Sequence, residues 1–109
     1  MRVGGNPLDP TRDHRISLDK AAAQTRAYRR GAPIRTGDTG AFNAAPVREL
    51  LDQPGCVGLR YYKGLNEEGT ETIILVGVDK DGNDMTSGIL LDIVFLCPPF
   101  CPGGDVLNT

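Results

Sequence analysis

Three cysteines, Cys56, Cys97 and Cys101, and one histidine, His14, are the side chains best suited to soft-metal or redox chemistry in this chain. Three thiolates and an imidazole can in principle hold zinc tetrahedrally. The spacing argues otherwise: Cys97 and Cys101 enclose Pro98-Pro99-Phe100, and His14 lies in a polar stretch far from either. A Cys97 to Cys101 disulfide would close a short, proline-stiffened loop and leave Cys56 over, which suits an oxidising compartment or a redox switch. The plainer expectation is reduced thiols, with Cys56 packed as a small hydrophobe at the start of a strand, and no bound metal or cofactor.

Other constellations fall short of a site. Asp79-Lys80-Asp81-Gly82-Asn83-Asp84 opens like a calcium loop, but Asp84 stands where the sharp-turn glycine belongs and Leu90 where a bidentate glutamate belongs. A solvated hairpin turn accounts for the same residues. Gly37-Asp38-Thr39-Gly40 lacks the Lys and Ser or Thr of a phosphate loop, and its Asp-Thr-Gly occurs once where aspartic proteases need a carboxylate pair. Ser17 and Ser87 are the two serines, and neither has a histidine in a structured context, so no catalytic residue is expected. Arg26, Arg29 and Arg30 fall together at helical spacing, with Arg35 nearby, and form a guanidinium patch suited to carboxylates. The plainer reading of that patch is a solvated helix face.

Composition narrows the partners. The chain has 109 residues, 39% hydrophobic and 24% charged, with a formal net charge of −2. That size indicates one domain, and that charge argues against a nucleic-acid wrapper or a coat on an anionic membrane. Charge is split along the chain: residues 1–35 carry eight basic and three acidic groups, whereas the remainder carries four basic and eleven acidic. Complementary halves of this kind attract one another within a chain or between copies. No apolar run reaches the roughly 18 residues of a membrane span, and Met1 to Pro7 has no apolar signal core. A cytoplasmic location is expected, with export of an assembled form left open.

The elements that must position these residues are legible in outline. Residues 1–15 lack an apolar period and read as a flexible arm, followed by one α+β domain over 16–101 and a tail over 102–109. Ser17 as N-cap, Asp19 in the first turn and Arg29 and Arg30 in the last predict a helix over about 18–30. Residues 31–40 read as a loop. Pro46 in a first turn with Val47, Leu50 and Leu51 on one face predicts a second helix over about 44–52, ended by a Pro54-Gly55 type II turn. Val57, Leu59 and Tyr61 alternate with Cys56, Gly58, Arg60 and Tyr62, as in a strand with one better-buried face. Thr72 to Val78 is apolar on both faces and therefore central, and Ile89 to Leu96 makes a third strand. The expected fold is α+β, with two N-terminal helices packed on an antiparallel meander of about three strands. Ile73, Leu75, Leu90, Val94 and Leu96 then offer one apolar face more than two short helices can cover.

Asp52-Gln53-Pro54-Gly55-Cys56-Val57-Gly58-Leu59-Arg60-Tyr61-Tyr62, Leu75-Val76-Gly77-Val78-Asp79, Gly82-Asn83-Asp84 and Cys97-Pro98-Pro99-Phe100-Cys101 resemble a set of small bacterial proteins with no assigned function, over about residues 17–101. The resemblance implies a shared compact fold and carries no activity. Surplus apolar strand surface and divided charge together predict a small non-catalytic structural or interaction module whose partner is itself or an acidic protein, as a ring or filament where the contact is head-to-tail. The runner-up is a small metal-binding or redox protein built on Cys97 and Cys101.

Overall fold

The structure, a computed structural model, describes residues 4–31, 39–93, 95–97, 103, 104 and 107. It is α+β: α1 (Leu18–Gly31), β1 (Thr39–Ala41), α2 (Ala44–Leu51), β2 (Gly58–Leu65), β3 (Glu71–Val78), β4 (Leu90–Asp92) and β5 (Phe95–Cys97). Both helices precede the main sheet in sequence, as expected, and α2 packs against β3 and β4.

Local chemistry sets these boundaries. Ser17 Oγ accepts the Lys20 N–H at 3.1 Å, satisfying one of the orphan donors of α1. After α2, Gln53-Pro54-Gly55-Cys56 closes a turn in which Cys56 N–H donates to Gln53 C=O at 3.0 Å and Gly55 takes φ 84°. That is the type II geometry, with proline fixing the first corner and glycine accepting the positive φ of the second. Gln53 then ties the turn to the sheet, donating to Leu50 C=O at 2.8 Å and accepting the Ile89 N–H at 2.8 Å.

The main sheet has the order β2-β3-β4, all antiparallel, with β3 central. Leu50, Leu75, Val76 and Val78 are buried around it. Each such side chain contributes about 1.5–3 kcal/mol relative to exposure. The β2–β3 turn is organised by Asn66, whose Oδ1 accepts the N–H groups of Glu68 and Thr70 at 2.9 Å each. Asp79 does the same in the next turn, accepting from Asp81 and Asn83 at 2.9 and 3.0 Å. Its carboxylate thus serves the solvated turn expected of this segment.

One expectation is corrected. The single strand over 89–96 is two strands: β4 pairs with β3, whereas β5 pairs with β1 in a separate two-stranded sheet. Once Ile93 N–H has bonded Ile73 C=O at 3.1 Å, β3 has just Glu71 and Thr72 left to offer, so the chain must satisfy its backbone elsewhere. It does so on Thr39–Ala41, at the end of the stretch read as a loop. A second finding concerns β2. Of the two alternating sets, the more apolar one, Val57, Leu59 and Tyr61, is exposed, whereas in the other Cys56, Gly58 and Arg60 are half-buried and Tyr62 is exposed.

Candidate self-association surface

The burial of the less apolar set of β2 has identifiable causes on its inner face. Leu8, from the N-terminal arm, lies over Gly58, where a Cβ would come within 2.7 Å of Leu8 Cδ1. The arm is held there by Gly5 N–H donating to Asn83 Oδ1 at 2.8 Å, and by contact between Asn6 and Gly82. Arg60, on the same face, donates to Asp84 Oδ1 at 2.5 Å and to Gly82 C=O at 3.2 Å. Tyr62 donates its hydroxyl to Asp84 Oδ2. That hydrogen bond to a carboxylate, followed by desolvation, raises the Tyr62 pKa above the ordinary tyrosine value. Arm, turn and strand are thereby fastened on one side of the sheet.

On the other side of β2, Leu59, Tyr61 and Leu65 are 39%, 61% and 72% exposed. Lys63 lies between them and is the one charged residue in this alternating set. β2 is also an edge strand, hydrogen-bonded to β3 alone among the described residues.

Which backbone groups face that free edge follows from the ladder of β3. Met85 N–H donates to Gly77 C=O, Asp79 N–H to Asn83 C=O, and Ile93 N–H to Ile73 C=O. The odd-numbered residues of β3 therefore bond toward β4, and its even-numbered residues bond toward β2. Val57 N–H on Val78 C=O and Asn66 N–H on Thr70 C=O agree with this at the two ends. In the β2–β3 register, even pairs with even: Arg60 with Val76, Tyr62 with Ile74, Gly64 with Thr72. The N–H and C=O groups of Leu59, Tyr61, Lys63 and Leu65 consequently point away from the sheet. The same four residues supply the outward side chains and the outward backbone groups.

Of the arginines expected as a patch, Arg26, Arg29 and Arg30 all lie on α1. Arg26 and Arg30 lie exposed on α1, while Arg29 is half-buried and donates to Leu107 C=O at 2.6 Å. Arg35 lies outside the described residues. Among the cysteines, Cys56 is half-buried, free, and donates its thiol to Gly58 C=O at 3.2 Å. Its neighbours include Gln53 and Met85 around Gly77. Cys97 is described by its place in β5, whereas its side chain and Cys101 lie outside the described residues, as do Val94 and the side chain of Leu96. Among the described residues no cluster of three or more His, Cys, Asp or Glu side chains is placed to hold a metal ion. A cavity of about 510 Å³ opens between α1 and the start of β3, lined by Thr25, Tyr28, Lys63, Thr72 and Ile73. Thr72 Oγ1 is buried with no hydrogen-bond partner among the described residues.

Sequence reasoning missed Asp84 and Gln53 as organising residues. The detectable signal for the first was Arg60, the one charged residue between Cys56 and Tyr62. For Gln53 there was none, since its partners lie in segments the turn brings together. Comparison with known proteins gives no match, whether to a family model, a curated protein or a solved structure.

Proposed function

We propose that the chain is a small, non-catalytic interaction module that assembles with copies of itself, using the outward face and free edge of β2 as its contact. The observation that carries this reading is that Leu59, Tyr61 and Leu65 are exposed on a strand whose outward N–H and C=O groups meet no other strand among the described residues. Proteins ordinarily cover, shorten or heavily charge such an edge, because it templates further pairing. Here it is eight residues long and outwardly apolar except at Lys63. Charge division between the basic first third and the acidic remainder adds a long-range attraction between copies, and a cytoplasmic setting suits the thiols. No helix among the described residues is long and apolar enough to cross a membrane.

Size-exclusion chromatography with light scattering tests the reading, run across concentration and salt, with and without reductant and chelator. The expected mass exceeds the 11.7 kDa of one chain and rises with concentration. Salt reduces it without abolishing it, since screening acts on exposed charge and leaves apolar burial intact. A monomeric mass at high concentration and low salt overturns the proposal. Dependence of the mass on chelator or reductant points instead to the cysteines.

A further inference from the structure

We infer that self-association takes one register: two β2 strands pair antiparallel about a twofold axis through Tyr62, joining the two three-stranded sheets into one continuous sheet. This rests on the proposed self-association and specifies its geometry.

Backbone donors limit the choice first. Because the odd-numbered residues of β2 present their N–H and C=O groups outward, antiparallel pairing between copies must set odd against odd. Twofold registers centred on Arg60, Tyr61, Tyr62 or Lys63 satisfy that condition. Centring on Arg60 sets it against its own copy, and centring on Lys63 does the same for the ammonium groups; like charges directly opposed are destabilising. Centring on Tyr61 sets Leu65 against Val57, whose N–H already bonds Val78 C=O, so the ladder loses a donor at each end.

Centring on Tyr62 has none of these defects. Leu59 meets Leu65 of the second copy, and Tyr61 meets Lys63, each twice by symmetry. All four outward residues are then hydrogen-bonded. The apolar ends pair with each other, and each Lys63 ammonium lies beside a Tyr61 ring, where its charge is attracted to the aromatic face. Arg60 falls opposite Gly64, so the Arg60 to Asp84 pair needs no rearrangement. The segment Leu59-Arg60-Tyr61-Tyr62-Lys63-Gly64-Leu65 thus complements itself about its middle residue. A contact of this kind closes on itself as a dimer rather than propagating head-to-tail.

Disulfide trapping tests the register. Tyr62 is a non-hydrogen-bonded position facing its own copy, with a Cα separation of about 4.5 Å, inside the range a disulfide accepts. The Tyr62→Cys variant, oxidised mildly and digested, is expected to yield two copies of the β2 peptide joined at position 62 as its main intermolecular product, with the Tyr61→Cys variant giving little. Hydrogen exchange on the unaltered chain supplies a measurement that needs no substitution. The amides of Leu59, Tyr61, Lys63 and Leu65 should slow together as concentration rises through the dimerisation range. Lys63→Pro removes an outward donor while sparing the β2–β3 ladder, and should weaken dimerisation more than about tenfold. An oligomer that crosslinks through position 61 instead, or whose four amides stay fast, overturns this register and leaves self-association standing. A monomer under all conditions overturns both.

Discussion

Arg60 on β2 reaches Asp84 at 2.5 Å although Asp84 bridges β3, through Val78, and never pairs with β2. The ion pair therefore crosses the central strand, fastening the turn after β3 to the strand on its far side. Their side chains are 33% and 16% exposed, so the pair is shielded enough for its loss to register.

Asp84→Ala removes the acceptor of Arg60 and Tyr62 together. It is expected to cost about 1–3 kcal/mol of unfolding free energy, because a half-buried guanidinium is left without its carboxylate. Urea unfolding measures it, and Asp84→Ala combined with Arg60→Met should recover part of the loss.

Tyr62 should titrate above the ordinary tyrosine value when tyrosinate absorbance is followed. Its hydrogen bond to Asp84 favours the protonated phenol, so the folded pKa lies above the unfolded one. The stabilisation is complete below the unfolded value near 10 and is lost as pH rises through the raised folded value. Asp84→Asn should bring the Tyr62 transition down toward the ordinary tyrosine value.

Gly82→Ala should displace the N-terminal arm. Gly82 has φ 81°, and a Cβ there would collide with the Asn6 backbone carbonyl, so both conformation and space oppose it. The strained backbone alone costs on the order of 1 kcal/mol. Faster exchange at the Gly5 amide, whose acceptor is Asn83 Oδ1, reports the release.

Thr72→Val should stabilise the fold by about 1 kcal/mol, since it replaces a buried hydroxyl with no partner among the described residues by a methyl group of similar shape. A rise in the thermal midpoint checks it. Thr72→Ser, which keeps the hydroxyl and loses the methyl, should lower the midpoint.

What the sequence determined by itself was local. Helix ends followed from Ser17 and Pro54-Gly55, whose effects act within a few residues, and the centrality of β3 followed from apolar residues at every position of Ile73 to Val78. Tertiary structure decided which face of β2 lies inward. By alternation alone Val57, Leu59 and Tyr61 are the buried set, since apolar residues gain most from leaving water. The inner face is instead taken by Leu8 on Gly58 and by Asp84 on Arg60, contacts with chain 24 or more residues away. The switch of β5 onto β1 is of the same kind, because the length of ladder left on β3 depends on register. Period-2 patterning says that two faces differ. Which of them is covered depends on distant segments, and here they leave the apolar one facing outward.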